Sequence, residues 1–520
     1  MKYHHLLPLG LLLFGTFSCK DPKQPAIAEP ETAPYSEPHR PQFHFSPVAS
    51  WMNDPNGMFY LEGEYHLSYQ FYPDSTVWGP MHWGHAVSKD LVRWEHLPVA
   101  LYPDSLGYIF SGGSVVDVGN TSGFGSVENP AVVAAFTHHD PEGEKAGRVD
   151  FQSQSIAWST DKGRSWTKHQ GNPVLKNETG IRDFRDPKIV WYAPESKWVM
   201  ALAVYDRVQF YASPDLKSWE YLSEFGIPGD TRLWECPDLF PLLVEETGET
   251  KWVLIVSIQK DAPNGGTATS YFVGDFDGTR FLADPKEQQW LDWGTDNYAF
   301  VTWDNAPGPA SERLGIGWMS NWQYAQVVPT EAWRSAMTVP RILRLERAGE
   351  GYVLSSLPAA SLESLRGERT VLGSMMISGE ETVEGAFAPS QCELLLQTDL
   401  AGTTAALFGI TLSNGAGDRL IIGVDRENSQ LWVDRRGSGP NFAEEFFKGP
   451  HTAPLDLSQG SSDLRILLDV ASIEVFGREG RLNFTEIFFP SEPFDRMTFW
   501  AEDGEWKLET GTVYPLGSIW

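Results

Sequence analysis

Cysteine is almost absent: three occur in 520 residues, and one of them, Cys19, closes an apolar leader. The other two, Cys236 and Cys392, make no disulfide framework and read as buried thiols. Positive charge is also scarce. Against 69 Asp and Glu stand only 40 Lys and Arg, giving a net charge of −29. No basic face can follow a phosphate backbone, which excludes nucleic acid as a partner. No apolar run reaches the ~20 residues of a membrane-spanning helix, and no long segment repeats with a period of 3.6. No Cys/His spacing fits zinc; His82 and His85 lie in strand-rich text, and His138-His139 sits before Asp140-Pro141, where solvent-exposed histidines are expected. Neither a metal nor another cofactor is expected.

What is present begins with a targeting segment. Lys2, His4 and His5 precede the apolar run Leu6–Phe17, which ends at Ser18–Cys19. Residues 1–18 read as a signal peptide. A cysteine directly after it resembles a bacterial lipobox, although Thr16 stands where Leu is more usual. Cys19 is therefore the candidate lipidation site, anchoring an exported protein to a bacterial membrane on its periplasmic or outer face. Residues 19–40 carry five prolines and few large apolar residues. They read as an extended tether.

From 41 to 345 the text is all-β. Short apolar runs such as Trp198–Tyr205, Trp252–Ile258 and Leu314–Met319 alternate with Gly, Pro, Asn and Asp turns. One turn recurs. Ser88-Lys-Asp-Leu-Val-Arg-Trp94 is echoed by Ser213-Pro-Asp-Leu-Lys-Ser-Trp219, by Ser159-Thr-Asp161 leading to Trp166, and weakly by Asp275-Phe-Asp-Gly-Thr-Arg-Phe281. Intervals of roughly 50 to 70 residues suit one four-stranded propeller blade with inserted loops. Residues 346–366 read as a linker holding a short helix at Ser356–Arg366. Residues 367–520 return to strands with a loop signal every ~8–12 residues, which predicts a β-sandwich. Most of the 21 Trp residues are expected to fill sheet cores, although flat apolar faces of this kind also suit the stacking of a sugar ring.

Three acidic residues stand at strand ends among aromatics. Asp54 lies in Trp51-Met-Asn-Asp-Pro-Asn-Gly57, where Pro55 and Gly57 predict a turn. Asp186 lies in Phe184-Arg-Asp-Pro-Lys188, beside an arginine able to hold it ionised. Glu235 lies in Trp234-Glu-Cys-Pro-Asp-Leu-Phe240, an apolar setting for a carboxyl. Each alone reads as an ordinary strand-end turn or buried acid. Together, in separate blade-length units that a propeller gathers about its axis, they suit glycoside hydrolysis. That chemistry needs one carboxyl to protonate the leaving oxygen and another to act as nucleophile or base.

At these motifs the sequence resembles glycoside hydrolase family 32, which holds invertases, inulinases and levanases. WMNDPNG stands at 51–57, Tyr69-Gln70 within SYQFYP, WGPMHWGHAVSKDL at 78–91, and FSG at 110–112. FRDPK follows at 184–188, WECPDLF at 234–240, VGDFDG at 273–278, GWMSNWQYA and VPTEAWRS within 317–335, and LRILLDVASIEVFGREG at 464–480. The resemblance implies a five-bladed propeller, a C-terminal sandwich and a retaining double displacement. By it Asp54 is the nucleophile, Glu235 the acid and then the base, and Asp186 the stabiliser of the transition state. Asn53, Gln70, Ser111 and Arg185 align with sugar-contacting positions, and Trp78, Phe110 and Trp322 with an apolar wall. The GWMSNWQYA run shifts the expected substrate toward fructan polymers, with sucrose the smaller alternative. Departures fall at Ser68 and Gly113, both expected at the pocket edge, and at Val470 in the sandwich. Two other readings share these features: an inverting five-bladed arabinofuranosidase or xylosidase, and a fructan-binding lipoprotein without turnover. Linkage preference, exo against endo action, hydrolysis against transfer, membrane side and oligomeric state are not legible.

Overall fold

The computed structural model describes residues 35–284 and 286–520, so the leader, Cys19 and the tether to residue 34 lie outside it. Alternating apolar runs pair as consecutive antiparallel strands and stack as five blades around an axis. The first blade is Ser50–Leu61, Glu64–Tyr72, His82–Ser88 and Trp94–Leu101. The second is Tyr108–Asp117, Ala131–His139, Gln152–Ser159 and Thr167–Lys168. The third is Phe184–Tyr192, Lys197–Val204, Arg207–Ser213 and Glu220–Gly226. The fourth is Trp234–Leu243, Thr250–Ile258, Ala268–Phe276 and Phe281–Leu282. The fifth is Tyr298–Thr302, Arg313–Met319, Arg341–Ala348 and Gly351–Pro358. The ring closes where Trp333–Arg334 pairs in parallel with Ser50 and Trp51 and where Tyr60 N–H donates to the Asp304 carbonyl at 2.9 Å.

The recurrent aspartate turn joins the third and fourth strands of successive blades. Asp90 Oδ1 accepts the backbone N–H of Val92 and Arg93, Asp161 that of Ser165, Asp215 those of Lys217 and Ser218, and Asp277 those of Thr279 and Arg280. The carboxylate thereby satisfies N–H groups that the turn leaves without a ladder partner.

Two boundaries differ from expectation. The fifth blade's last strand, Gly351–Pro358, falls inside the expected linker, because the turn at Gly349 (φ +61°) folds it back in register from Ala348↔Gly351 to Arg341↔Pro358. The connecting helix is a 3₁₀ segment, Ala360–Leu365, that buries Leu362 and Leu365. At the other end, Tyr35–Arg40 is packed structure and not tether. Tyr35 stacks on Trp520 at 3.7 Å, and Arg40 is buried with its guanidinium bonded to Glu37, Ser46 and the Pro47 carbonyl.

The C-terminal domain is a sandwich served by one long strand. The first part of Arg496–Pro515 pairs with Leu407–Ser413 and the last part with Cys392–Asp399, so a single strand enters both layers. Phe408, Leu412, Ile422, Leu394, Ile466 and Phe484 close over a common core. Charge lines the junction of the domains. Arg341 binds Asp292 and Glu474, and Arg435 binds Asp296 and Glu486. His44 bridges Asp469 and Glu474 at 2.8 Å to each.

Candidate active site

The innermost strand of every blade breaks its pairing register at the same level. The shifts fall between Met52 and Pro55, Ile109 and Gly112, Glu235 and Asp238, and Tyr298 and Val301, with the third blade's opposite Asp186 and Pro187. Such bulges turn a side chain off the ladder direction. Here they present Asp54, Ser111 and Asp186 to one pocket. Asp186, Cys236 and Ala299, at equivalent places in three consecutive blades, all adopt left-handed φ of +64°, +46° and +53°. This is costly backbone for residues other than glycine.

Asp54 Oδ2 accepts the Ser111 hydroxyl at 2.6 Å and the Cys236 thiol at 3.4 Å, and its Oδ1 accepts Asn53 Nδ2 at 3.1 Å. Asn53 is fixed in turn by Trp51 Nε1 at 2.7 Å. Asp186 Oδ2 accepts the Cys236 backbone N–H at 3.0 Å. Glu235 is gripped on both oxygens. Arg185 donates Nε and Nη2 to Oε1 at 3.1 and 2.9 Å, and the Tyr298 hydroxyl donates to Oε2. Arg185 Nη1 also reaches Asp183 at 2.7 Å.

Burial is the main force on the two aspartates. It raises Asp54 against the Ser111 hydrogen bond, with the Glu235 charge adding. It pushes Asp186 up to about 7, opposed by Arg185 and reinforced by Glu235 and Asp54. The Cys236 thiol rises through burial and the same carboxylates, so it stays a neutral donor. An ionised Asp54 in this buried setting favours a transition state that gathers positive charge at a sugar carbon.

All ten residues singled out from the sequence, Asn53, Asp54, Gln70, Trp78, Phe110, Ser111, Arg185, Asp186, Glu235 and Trp322, line one pocket of ≈ 260 Å³. The depth is unequal. Asp54 and Asp186 are 8% and 5% exposed, whereas the Glu144 side chain at the mouth is 43% exposed. Further along the same strands the axis is closed by buried Asn56, Lys188, Asp238 and Thr302. Lys188 pairs with Asp238 at 3.3 Å, and Thr302 Oγ1 donates to Asp238 at 2.8 Å. The pocket is blind.

Its wall also includes residues the sequence did not mark: His139, Glu144, Gln152, Asp183, Gln259 and Gln326. Contrary to expectation, His138 and His139 are buried, because the second blade's inner hairpin runs through them before the chain turns at Asp140. His139 stacks on Phe110 at 4.2 Å and meets Glu144 at 3.1 Å; burial lowers it to about 4. Ser68 and Gly113 do not line the pocket. Ser68 is buried in the ladder between Asn56 and His85. Gly113 sits against Lys188, where a Cβ would approach Cδ to 2.9 Å. Cys236 and Cys392 are free and buried. Val470 N–H donates to Asp469, on the face turned to the propeller and away from the pocket chemistry.

A model of the glycosyl hydrolases family 32 N-terminal domain matches residues 44–357, and one of the family's C-terminal domain matches 361–515. The chain is 47% identical to the levanase of Bacillus subtilis over 493 residues, 94% of this chain and 72% of that protein. The crystal structure of exo-inulinase from Aspergillus awamori matches with a TM-score of 0.85 at 34% identity, covering 94% of this chain and 100% of that one. The fructofuranosidase of Schwanniomyces occidentalis complexed with fructose matches at 0.82 and 30%, covering 94% and 100%. In sequence, in both domains and in fold, the chain belongs to glycosyl hydrolases family 32.

Proposed function

We propose that this protein is an exo-acting fructan hydrolase, with levan as its preferred polymer, that removes terminal fructose by double displacement. One arrangement carries the reading: Asp54 and Glu235 face the same blind pocket, with the fixed hydrogen-bond partners that two different tasks require. Asp54, bound by Ser111, Asn53 and Cys236, is the nucleophile. Its oxygen bonds to the anomeric carbon as the C–O bond to the leaving group breaks, and Glu235 gives its proton to the departing oxygen. Water then attacks the same carbon, Glu235 takes a proton from it, and the Asp54 ester bond breaks. Asp186 accepts hydrogen bonds from fructose hydroxyls at the pocket floor. Arg185 holds Glu235, and Trp78, Phe110 and Trp322 supply the apolar wall.

The exo reading rests on relatives named exo-inulinases, among them that of Aspergillus awamori at 35% identity over 94% of this chain. The levan preference rests on the Bacillus relative, named a levanase at 47% identity. The inverting arabinofuranosidase or xylosidase and the binder without turnover draw no support from these relatives. Purified protein from residue 20 onward, incubated separately with levan, inulin and sucrose, is expected to release free fructose from the earliest samples, fastest from levan. Short oligosaccharides appearing before fructose would refute the exo reading. The leader and Cys19 further support export and lipid anchoring. Cys19→Ala is expected to move the enzyme from the membrane fraction to the soluble one, and unchanged fractionation contradicts the anchor.

A further inference from the structure

We propose that Tyr298 is a positioning residue for the reaction: its hydroxyl, on Glu235 Oε2, together with Arg185 on Oε1, fixes the rotation of the acid/base carboxyl against the leaving oxygen. The inference rests on the assignment of Glu235 as acid/base.

Arg185, Glu235 and Tyr298 hold the same place in three consecutive blades, each the last laddered residue before the bulge. Neighbouring blades therefore grip Glu235 from both sides. Both arginine bonds fall on Oε1, and the terminal torsion of glutamate is broad and soft, so a single held oxygen fixes the carboxyl plane only loosely. The Tyr298 hydroxyl removes that freedom. An oxygen of a carboxyl offers two lone-pair directions. One on Oε2 takes the tyrosine, and the other remains for the proton that passes to the leaving oxygen.

The tyrosine is itself held. It is 1% exposed, edge-on to Trp318 at 6.3 Å, and cross-strand from the same Trp318 in the ladder. The next residue, Ala299, is pinned at positive φ with its N–H on Ser257 Oγ at 2.9 Å. A buried phenol needs a partner for its hydroxyl, and Glu235 is that partner. Tyr298 does not line the pocket, so it acts through Glu235 and not on the sugar.

The test is Tyr298→Phe, which keeps the ring and removes the one bond. On sucrose and levan, whose leaving oxygens need a proton, kcat/KM is expected to fall about 10–100-fold, a share of what a general acid contributes. With p-nitrophenyl β-fructofuranoside, whose leaving group departs without one, the loss is expected to stay within about threefold. Equal losses on both substrate types, or none on either, overturn the proposal. In Glu235→Gln the further change Tyr298→Phe is expected to cost nothing more; an additive second loss means that the tyrosine acts elsewhere. Full activity of Glu235→Gln alone on sucrose overturns the assignment of Glu235 itself and the proposal with it. Thermal unfolding of each variant serves as the folding control.

Discussion

At the level of single residues, the carboxylates divide their labour by surroundings, since all are acids in one pocket. Asp54→Asn, which keeps the size of the side chain but abolishes the nucleophile, is expected to lower kcat by at least ~1,000-fold with the fold intact; near-parental turnover would place the nucleophile elsewhere. Asp186 makes a different prediction, about stability. Its folded value of about 7 lies above the ~3.9 of an unfolded aspartate. Between these limits the folded chain keeps a proton that the unfolded chain has lost, so stability falls as pH rises through the window. Asp186→Asn removes that dependence. Its melting temperature is expected to exceed the parent's by a margin that grows from pH 5 to pH 7 and then levels, while activity is lost. Parallel melting curves across that range would count against the raised proton affinity. The three acids were legible because each sits in a dense motif with proline, arginine or tryptophan beside it. Tyr298 was not, since a tyrosine in Asp296-Asn-Tyr-Ala-Phe300 reads as sheet core, which it also is. His139 was misread for a related reason: the following Asp-Pro signals a turn, and the turn begins one residue later than the pattern suggests.

Among the strands and turns, the aspartate turn was the most legible feature, because its geometry is local. A carboxylate two residues after a strand-ending serine caps its own turn wherever it occurs. Asp215→Ala, which strands the N–H groups of Lys217 and Ser218 at the rim of the third blade, is expected to cost about 1–2 kcal/mol and to leave kcat unchanged. Denaturant titration measures the first and sucrose hydrolysis the second. The bulges left no such mark. A register shift is set by the neighbouring strand and blade, so nothing within Tyr298–Thr302 announces that it carries one residue more than its partner strand. The same holds for the strand Gly351–Pro358. Its place in the propeller depends on pairing with Arg341–Ala348, and the Ser356–Arg366 text suggests a helix that begins earlier than the observed Ala360–Leu365.

Across the whole molecule, the two domains are joined through buried ions whose partners come from both sides, a feature invisible in a sequence where each of these residues looks like surface charge. Arg341→Met leaves Asp292 buried without its cation and Glu474 with His44 alone. A loss of ~3–5 kcal/mol is expected from breaking such a pair, read as a lower unfolding midpoint; a variant as stable as the parent would show the network to be dispensable. His44 adds a pH term. Burial alone would lower it, but the Asp469 and Glu474 carboxylates outweigh burial and raise it to about 9. Because the folded value exceeds the unfolded one, its stabilisation is full below ~6.5 and is lost as pH rises toward 9. The parent is expected to lose stability over that interval, and His44→Gln is expected to lose less. The single pocket that holds Asp54 and Asp186, read as taking only chain ends, has a consequence at the scale of the substrate. Under the proposed exo action the enzyme responds to the number of ends in solution and is indifferent to the mass of polymer between them. At equal mass and below saturation, its initial rate falls in inverse proportion to chain length, and every branch adds another place to begin.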